Sequence, residues 1–152
     1  MKKILVFDMD GTIADFYGVP NWLQSLENFK TDPYENAKPL VDMIELRRLL
    51  MKLKTKGYKV VITSWASKGA LSNTDYFERI KKAKIDWLKK YAFPADAVNV
   101  IPYGTDKNIC TVEHKTFQIL FDDDARNRDT WLWGMAPDIT KTNILHILDC
   151  LL

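Results

Sequence analysis

A short apolar run that ends abruptly in acidic residues is the feature that most constrains the fold of this 152-residue chain. The run covers residues 4–7, and Asp8 and Asp10 follow it directly. A short run without polar alternation is typical of a strand buried on both faces, as in parallel sheets. Similar runs predict three further strands, at 58–62, 98–101 and 117–121.

The segments between these strands carry helical patterns. One pattern opens at Pro39 and stops at Gly57, and a second runs from a cap at Asn73 or Thr74 towards Pro94. Lys84 is the polar exception on the apolar face of this second helix. A short amphipathic helix is predicted at 143–152. Strands joined by helices predict an α/β fold, with a parallel sheet flanked by helices and a ligand site beyond the carboxyl ends of its strands.

Composition narrows the class of protein further. The chain has 22 Lys plus Arg against 20 Asp plus Glu, and a net charge of +2 argues against broad electrostatic binding of nucleic acid. Two cysteines cannot build a disulfide scaffold or a four-ligand zinc site. Apolar runs are too short for a membrane span or a signal-peptide core. We therefore expect residues 1–152 to form a single soluble domain in the cytoplasm, with no membrane partner.

Polar side chains gather at the predicted strand ends. Asp8 and Asp10 follow the first strand, and two neighbouring carboxylates repel each other unless a divalent cation lies close by. An EF-hand calcium loop needs more oxygen ligands than this segment offers. Thr63 and Ser64 follow the second strand, where hydroxyl and backbone N–H groups can bind a phosphate oxygen or form a simple turn.

The fourth strand is followed by Asp122, Asp123 and Asp124. We expect Asp122 to be a metal ligand and Asp124 to lie in an exposed turn. These carboxylates need a compensating lysine, and Lys107 and Lys115 are the alternatives. Lys115 precedes the fourth strand and lies about 16 Å from its carboxyl end, since a strand rises roughly 3.3 Å per residue. This geometry favours Lys107.

The combined motifs resemble the haloacid dehalogenase (HAD) superfamily. They are Asp8-Met9-Asp10-Gly11-Thr12, Thr63-Ser64, a later lysine and Asp122-Asp123. Residues 8–16 are also similar to the opening of 5′(3′)-deoxyribonucleotidases, although Thr12 stands where those enzymes carry Val and the chain is shorter. The resemblance implies a three-layer Rossmann-like fold, with a small cap insertion at about residues 13–38 after the first strand.

The same resemblance implies a Mg²⁺-dependent phosphomonoester hydrolase. Asp8 is then the nucleophile that forms an aspartyl-phosphate, and Asp10 is the acid that protonates the leaving oxygen. The resemblance also implies that Mg²⁺ is bound by Asp8, Asp122 and the backbone carbonyl of Asp10. Phosphate binding falls to Thr63, Ser64 and Lys107. Asp123 is then expected to orient Lys107 or a metal-bound water.

The sequence leaves the substrate open. Phe16, Tyr17 and Trp65 are candidates for lining a substrate pocket, although aromatic side chains more often pack a core. One alternative is a small phosphorylated substrate such as a nucleoside monophosphate. A second is the phosphorylated end of a nucleic acid. A third is a catalytically idle HAD-like module that binds phosphate ligands or a protein partner.

Overall fold

The fold is built on a five-stranded sheet. The computed structural model describes residues 2–110 and 116–152. The strands in chain order are β1 (Lys3–Phe7), β2 (Ala14–Asp15), β3 (Lys38–Pro39), β4 (Tyr58–Trp65), β5 (Ala97–Ile101), β6 (Phe117–Phe121) and β7 (Gly134–Met135). The helices are α1 (Trp22–Glu27), α2 (Asp32–Asn36), α3 (Met43–Thr55), α4 (Thr74–Lys90), α5 (Ala125–Asp129) and α6 (Ile144–Cys150). The sheet has the order β5-β4-β1-β6-β7, and all of its pairs are parallel.

The central strand β1 is buried on both faces, as the sequence predicts. Leu5 and Phe7 point into one core cluster, whereas Ile4 and Val6 belong to another on the opposite face. This alternation is the one expected of a strand covered on both sides, because successive side chains point to opposite faces. The predicted α/β fold with a parallel sheet is therefore confirmed.

The four predicted strands are present, and β4 is longer than predicted. It continues through Thr63 and Ser64 to Trp65, because β5 pairs with it as far as Trp65 and Ile101. The two hydroxyl residues therefore lie in the last part of a strand and not in a turn after it. The short edge strand β7 was not predicted.

The helices begin and end at residues suited to those positions. The side chain of Asp42 accepts hydrogen bonds from the first turn of α3, so the predicted start at Pro39 is wrong, and Pro39 pairs with Ala14 in a small antiparallel sheet. Gly57 follows α3 with a φ of 88°, which glycine adopts at low cost. Asn73 caps α4, as one predicted alternative had it.

Residues 16–37 form an insertion between β2 and β3 that contains α1 and α2. It packs on α4, where the Tyr76 hydroxyl donates to the Lys30 carbonyl at 2.8 Å and the Trp87 indole donates to the Ala37 carbonyl at 2.8 Å. Inside the insertion the rings of Phe16 and Tyr34 lie 4.8 Å apart, and both side chains are buried. Helix α4 therefore fixes the insertion over the carboxyl end of the sheet.

No helix in the described part of the chain has both the length and the apolar character needed to span a membrane.

Candidate active site

The carboxyl ends of β1 and β6 bring the predicted acids together. Phe7 and Phe121 are paired in register, and the backbone N–H of Asp8 donates to the Phe121 carbonyl at 2.9 Å. Carboxylate oxygens of Asp8, Asp122 and Asp123 consequently lie within 4.8 Å of one another. Burial and the charge of Asp8 raise the pKa of both Asp122 and Asp123 above the ordinary carboxyl range.

These three carboxylates fit a divalent cation. Clustered carboxylate oxygens are the ligands that hard cations such as Mg²⁺ prefer, and their mutual repulsion is relieved when a cation binds. The cluster differs from the predicted ligand set, because it contains the carboxylate of Asp123, to which an orienting role was assigned. Mg²⁺ binding by the backbone carbonyl of Asp10 stays a prediction.

Lys107 supplies a buried positive charge to this cluster. It begins a 3₁₀ turn, Lys107–Cys110, after β5, and its Nζ donates to Asp8 Oδ1 at 2.9 Å and to Asp122 Oδ2 at 2.7 Å. Burial alone lowers the pKa of Lys107, but the two carboxylates outweigh that effect and raise it. The structure thus brings Lys107 to the acids, whereas Lys115 lies outside the described residues.

Thr12 contacts Asp8 from the other side, and it belongs to the first sequence motif, where it was assigned no role. Its hydroxyl lies 3.0 Å from Asp8 Oδ2 and 3.3 Å from Asp123 Oδ1, and it accepts the backbone N–H of Asp123 at 3.2 Å. A valine there could make none of these bonds. Gly11 has a φ of 80°, and a Cβ on it would overlap the Asp123 carboxylate, so this turn requires glycine.

Asp10 contacts Lys84, a residue that the sequence did not assign to the site. Its Oδ2 accepts a 2.8 Å hydrogen bond from Nζ of Lys84, which lies in the middle of α4. Burial raises the pKa of Asp10, and the Lys84 charge opposes that rise. The apolar neighbours of Lys84 on the helix face were a signal that this lysine is buried, but they do not identify its partner.

Thr63 and Ser64 lie beneath the site. Their side chains are buried, and the Ser64 hydroxyl accepts a 2.6 Å hydrogen bond from Lys84. Neither residue is among those that border the cavity described next. The phosphate-binding role of these two residues stays a prediction.

A cavity of about 490 Å³ opens above the acids. Asp8, Asp10 and Lys107 border it at the sheet end, and Asp122 and Asp123 lie beside them. The aromatic residues that border it are Phe16, Tyr17, Trp22, Phe29, Tyr34, Trp65 and Tyr103. The three aromatic residues predicted for the pocket are therefore at the cavity, and their contact with a substrate stays a prediction.

Trp65, Lys68 and Tyr103 border the cavity on the β4 and β5 side, and Arg126 of α5 lies beside the Trp65 ring. The rings of Trp65 and Tyr103 lie 5.2 Å apart, and the Nζ of Lys68 lies 5.2 Å from the centre of the Tyr103 ring. Arg126 lies 5.8 Å from the Trp65 ring and pairs with Asp124 at 2.7 Å. We call these four residues, Lys68, Arg126, Trp65 and Tyr103, the basic rim.

Comparison with known proteins identifies the fold. No family model matches the chain, and no curated protein sequence matches it. A chain in the structure of the Pnkp1/Rnl/Hen1 RNA repair complex is similar, with a TM-score of 0.55 and 20% identity over 86% of this chain and 39% of that one. The D,D-heptose 1,7-bisphosphate phosphatase from Burkholderia thailandensis has a TM-score of 0.50 and 15% identity over 90% of this chain and 76% of that one.

The chain spans about two fifths of the length of the RNA repair chain. At these identities the likeness concerns the fold alone. The chain therefore has an α/β Rossmann-like fold, in which a parallel five-stranded sheet is flanked by helices.

Proposed function

We propose that this chain is a Mg²⁺-dependent phosphomonoester hydrolase that works through an aspartyl-phosphate on Asp8. The observation that carries the proposal is the environment of Asp8. Its two oxygens are held by Lys107 and Thr12, it borders the cavity, and two further carboxylates complete a cation site beside it. A carboxylate with fixed orientation and a neighbouring cation is suited to attack on phosphorus.

The reaction proceeds in two displacements. In the first, an Asp8 oxygen attacks phosphorus, the ester P–O bond breaks, and Asp10 gives a proton to the leaving oxygen. In the second, Asp10 takes a proton from a water molecule that attacks phosphorus, and inorganic phosphate and free Asp8 are released. Lys107 stabilises the negative charge on the phosphoryl oxygens. Asp8, Asp122 and Asp123 would hold Mg²⁺, which would supply positive charge to balance that of the bound phosphate.

The aromatic lining of the cavity supports a nucleotide as the substrate. The cavity is larger than a phosphate group requires, and Tyr17 and Trp65 offer ring surface beside the acids. Aromatic rings stack on a nucleobase with little dependence on base identity. The insertion 16–37 serves as the small cap that supplies Tyr17 to this surface.

The basic rim supports a second candidate, the phosphorylated end of a nucleic acid. A polynucleotide end carries further phosphodiesters and bases beyond the reacting phosphate, and Lys68 and Tyr103 are suited to bind them. The fold likeness to a chain of an RNA repair complex favours the same candidate.

Phosphate release from a panel of phosphomonoesters tests both candidates. The panel contains ribo- and deoxyribonucleoside monophosphates, sugar phosphates, and oligonucleotides phosphorylated at the 3′ or the 5′ end, each with and without Mg²⁺. We expect Mg²⁺-dependent release, with nucleotides preferred over sugar phosphates by roughly tenfold, since stacking contributes about 1–3 kcal/mol per base. A preference for oligonucleotides selects the second candidate. Absence of release by folded protein with Mg²⁺ would favour the idle binding module instead.

Mg²⁺ is also expected to stabilise the fold in a pH-dependent way. The pKa values of Asp122 and Asp123 are raised in the folded protein, so the folded state binds more protons than the unfolded state above the ordinary carboxyl pKa. Without metal, the free energy of unfolding therefore falls as the pH rises from about 5 to about 8. Mg²⁺ needs the ionised carboxylates, so its stabilising effect grows over the same range.

Thermal unfolding with and without Mg²⁺ at several pH values measures this effect. Asp122→Asn is the matched variant, because it removes one charge from the cluster and keeps the size of the side chain. We expect a smaller Mg²⁺ effect in that variant. An equal Mg²⁺ effect at all pH values, or the same effect in Asp122→Asn, would contradict the assignment of the cluster as the metal site.

A further inference from the structure

We propose that Lys84 is the positioning residue for Asp10, which it holds in the orientation needed to protonate the leaving oxygen. This inference rests on the proposed function, because it assumes that Asp10 is the acid of a phosphomonoester hydrolase. It adds a role for a residue of α4 that belongs to none of the motifs found in the sequence.

The ammonium group of Lys84 donates hydrogen bonds to three oxygen atoms. Its side chain is 1% exposed, and its Nζ donates to Asp10 Oδ2 at 2.8 Å, to Ser64 Oγ at 2.6 Å and to the Trp65 carbonyl at 2.9 Å. A lysine ammonium has three protons, so each proton has one acceptor. This arrangement fixes the ammonium group relative to the end of β4 and fixes Asp10 relative to both.

Packing alone gives no reason for a lysine at this position. The neighbouring residues on the buried face of α4, such as Ile80, Trp87 and Leu88, are apolar. A buried ammonium group is costly unless it is paired and hydrogen-bonded, and an apolar side chain of the same length avoids that cost. The charge of Lys84 is therefore explained by its partners, of which Asp10 is the only acid that it contacts among the described residues.

The geometry leaves Asp10 able to act on a substrate. Lys84 donates to Oδ2 of Asp10, and Asp10 also borders the cavity. The Oδ1 atom of Asp10 can therefore donate a proton to the leaving group. The Tyr34 ring lies 5.0 Å from the Lys84 Nζ and covers it on the side of the insertion. The charged groups around Asp10 are Lys84, Asp8 and Lys107, and the Lys107 Nζ is committed to Asp8 and Asp122.

The proton that Asp10 transfers moves between Asp10, the leaving oxygen and water, and Lys84 keeps its three protons in both steps. When the ester bond breaks, Asp10 becomes a carboxylate beside a fixed ammonium group. Without Lys84, the Asp10 carboxylate is free to rotate, and the acid no longer has a defined position relative to the leaving oxygen.

Leaving-group dependence separates this role from a purely structural one. An acid matters most for esters of alkyl alcohols, which leave poorly without a proton, and least for nitrophenyl esters, which leave readily as anions. We compare kcat/KM for both ester classes in wild type, Lys84→Met, Asp10→Asn and Lys89→Met. Lys89→Met is the matched control, because Lys89 is an exposed lysine of the same helix. Thermal unfolding confirms that each variant folds.

We expect Lys84→Met to lose roughly 100-fold in kcat/KM on alkyl phosphates and less than about tenfold on nitrophenyl phosphates. Asp10→Asn should give the same pattern, and Lys89→Met should match wild type. If Lys84→Met fails to fold, Lys84→Arg replaces it. Arginine keeps the charge, but its larger head group displaces Asp10. We then expect the same selective loss of kcat/KM on alkyl phosphates, with a smaller fold-change.

Three contrary results would each refute a different part of the proposal. Absence of turnover in wild type refutes the proposed function. A wild type that turns over, with an Asp10→Asn variant that loses both ester classes equally, refutes the acid role of Asp10 and the role of Lys84 with it. Selective loss in Asp10→Asn but uniform loss or no loss in the Lys84 variants overturns the role of Lys84 alone.

Discussion

Asp8→Asn should lower phosphate release by at least roughly 1000-fold at saturating Mg²⁺, because a neutral amide cannot act as the nucleophile. The substitution also removes a negative charge from Lys107, whose Nζ donates to Asp8 Oδ1. The side chain keeps its size, so the fold should be retained. Initial rates of phosphate release on the preferred substrate measure this effect.

The matched control is Asp42→Asn, which makes the same chemical change at the cap of α3. Asparagine is as good a cap as aspartate, so this variant should keep full activity. The intermediate gives an independent readout. Acid quenching during turnover should trap one phosphoryl group on wild-type protein, mapped by mass spectrometry to the peptide with Asp8. A phosphoryl group on another residue, or an active Asp8→Asn variant, would refute the nucleophilic role of Asp8.

The sequence could predict the position of the acids because parallel strands end at the same edge of a sheet. The apolar run before Asp8 and the run before Asp122 are strands that pair in register, so the residues that follow them must be neighbours. This inference needs only a parallel sheet, and short buried runs joined by helices predict one. The order of the strands was not predicted from the sequence. The choice of Lys107 over Lys115 used the same reasoning.

The details around Asp10 and Asp123 depend on contacts that a local pattern does not contain. Lys84 and Asp10 are 74 residues apart in the chain, and helical periodicity shows that Lys84 is buried without showing what it meets. Asp123 joins the carboxylate cluster because the chain turns after β6, where the N–H of Asp124 donates to Asp122 Oδ1. The side-chain alternation of a strand no longer holds in such a turn.

The extent of β4 was missed for a related reason. The apolar run ends at Ile62, but pairing with β5 continues the strand to Trp65, so neighbouring backbone decided the boundary. The sequence offered Phe16 and Tyr17 equally as candidates for the pocket. Only the structure shows that Phe16 is buried and that Tyr17 is half-exposed.

Lys107→Met is expected to reduce both activity and stability strongly. The change removes the ammonium group that pairs with Asp8 and Asp122, and both of these carboxylates are buried. Removing one member of a buried ion pair typically lowers the free energy of unfolding by about 3–5 kcal/mol, because the remaining charge is uncompensated. Phosphate release should fall by at least roughly 100-fold, since the phosphoryl oxygens lose a fixed cation.

The sign of the pH dependence distinguishes this cause from a simple packing defect. Lys107 opposes the rise in the pKa of Asp122, so this pKa should rise further in the variant. The metal-free variant should therefore recover stability as the pH is lowered and Asp122 is protonated. Mg²⁺ should also restore part of the stability, because a cation beside the same carboxylates replaces some of the lost charge. A packing defect would give a loss that depends on neither pH nor Mg²⁺.

Lys115→Met is the matched control, and it decides between the two lysines that the sequence left open. If Lys107 is the lysine of the site, Lys115→Met should keep wild-type activity and the wild-type response to Mg²⁺ and pH. Denaturant unfolding and phosphate release on both variants give the comparison. Loss of activity in Lys115→Met with retention in Lys107→Met would reverse the assignment. The ion pairs of Lys107 with Asp8 and Asp122 would then be a structural feature of the strand ends, and the phosphate would need its cation from the other lysine.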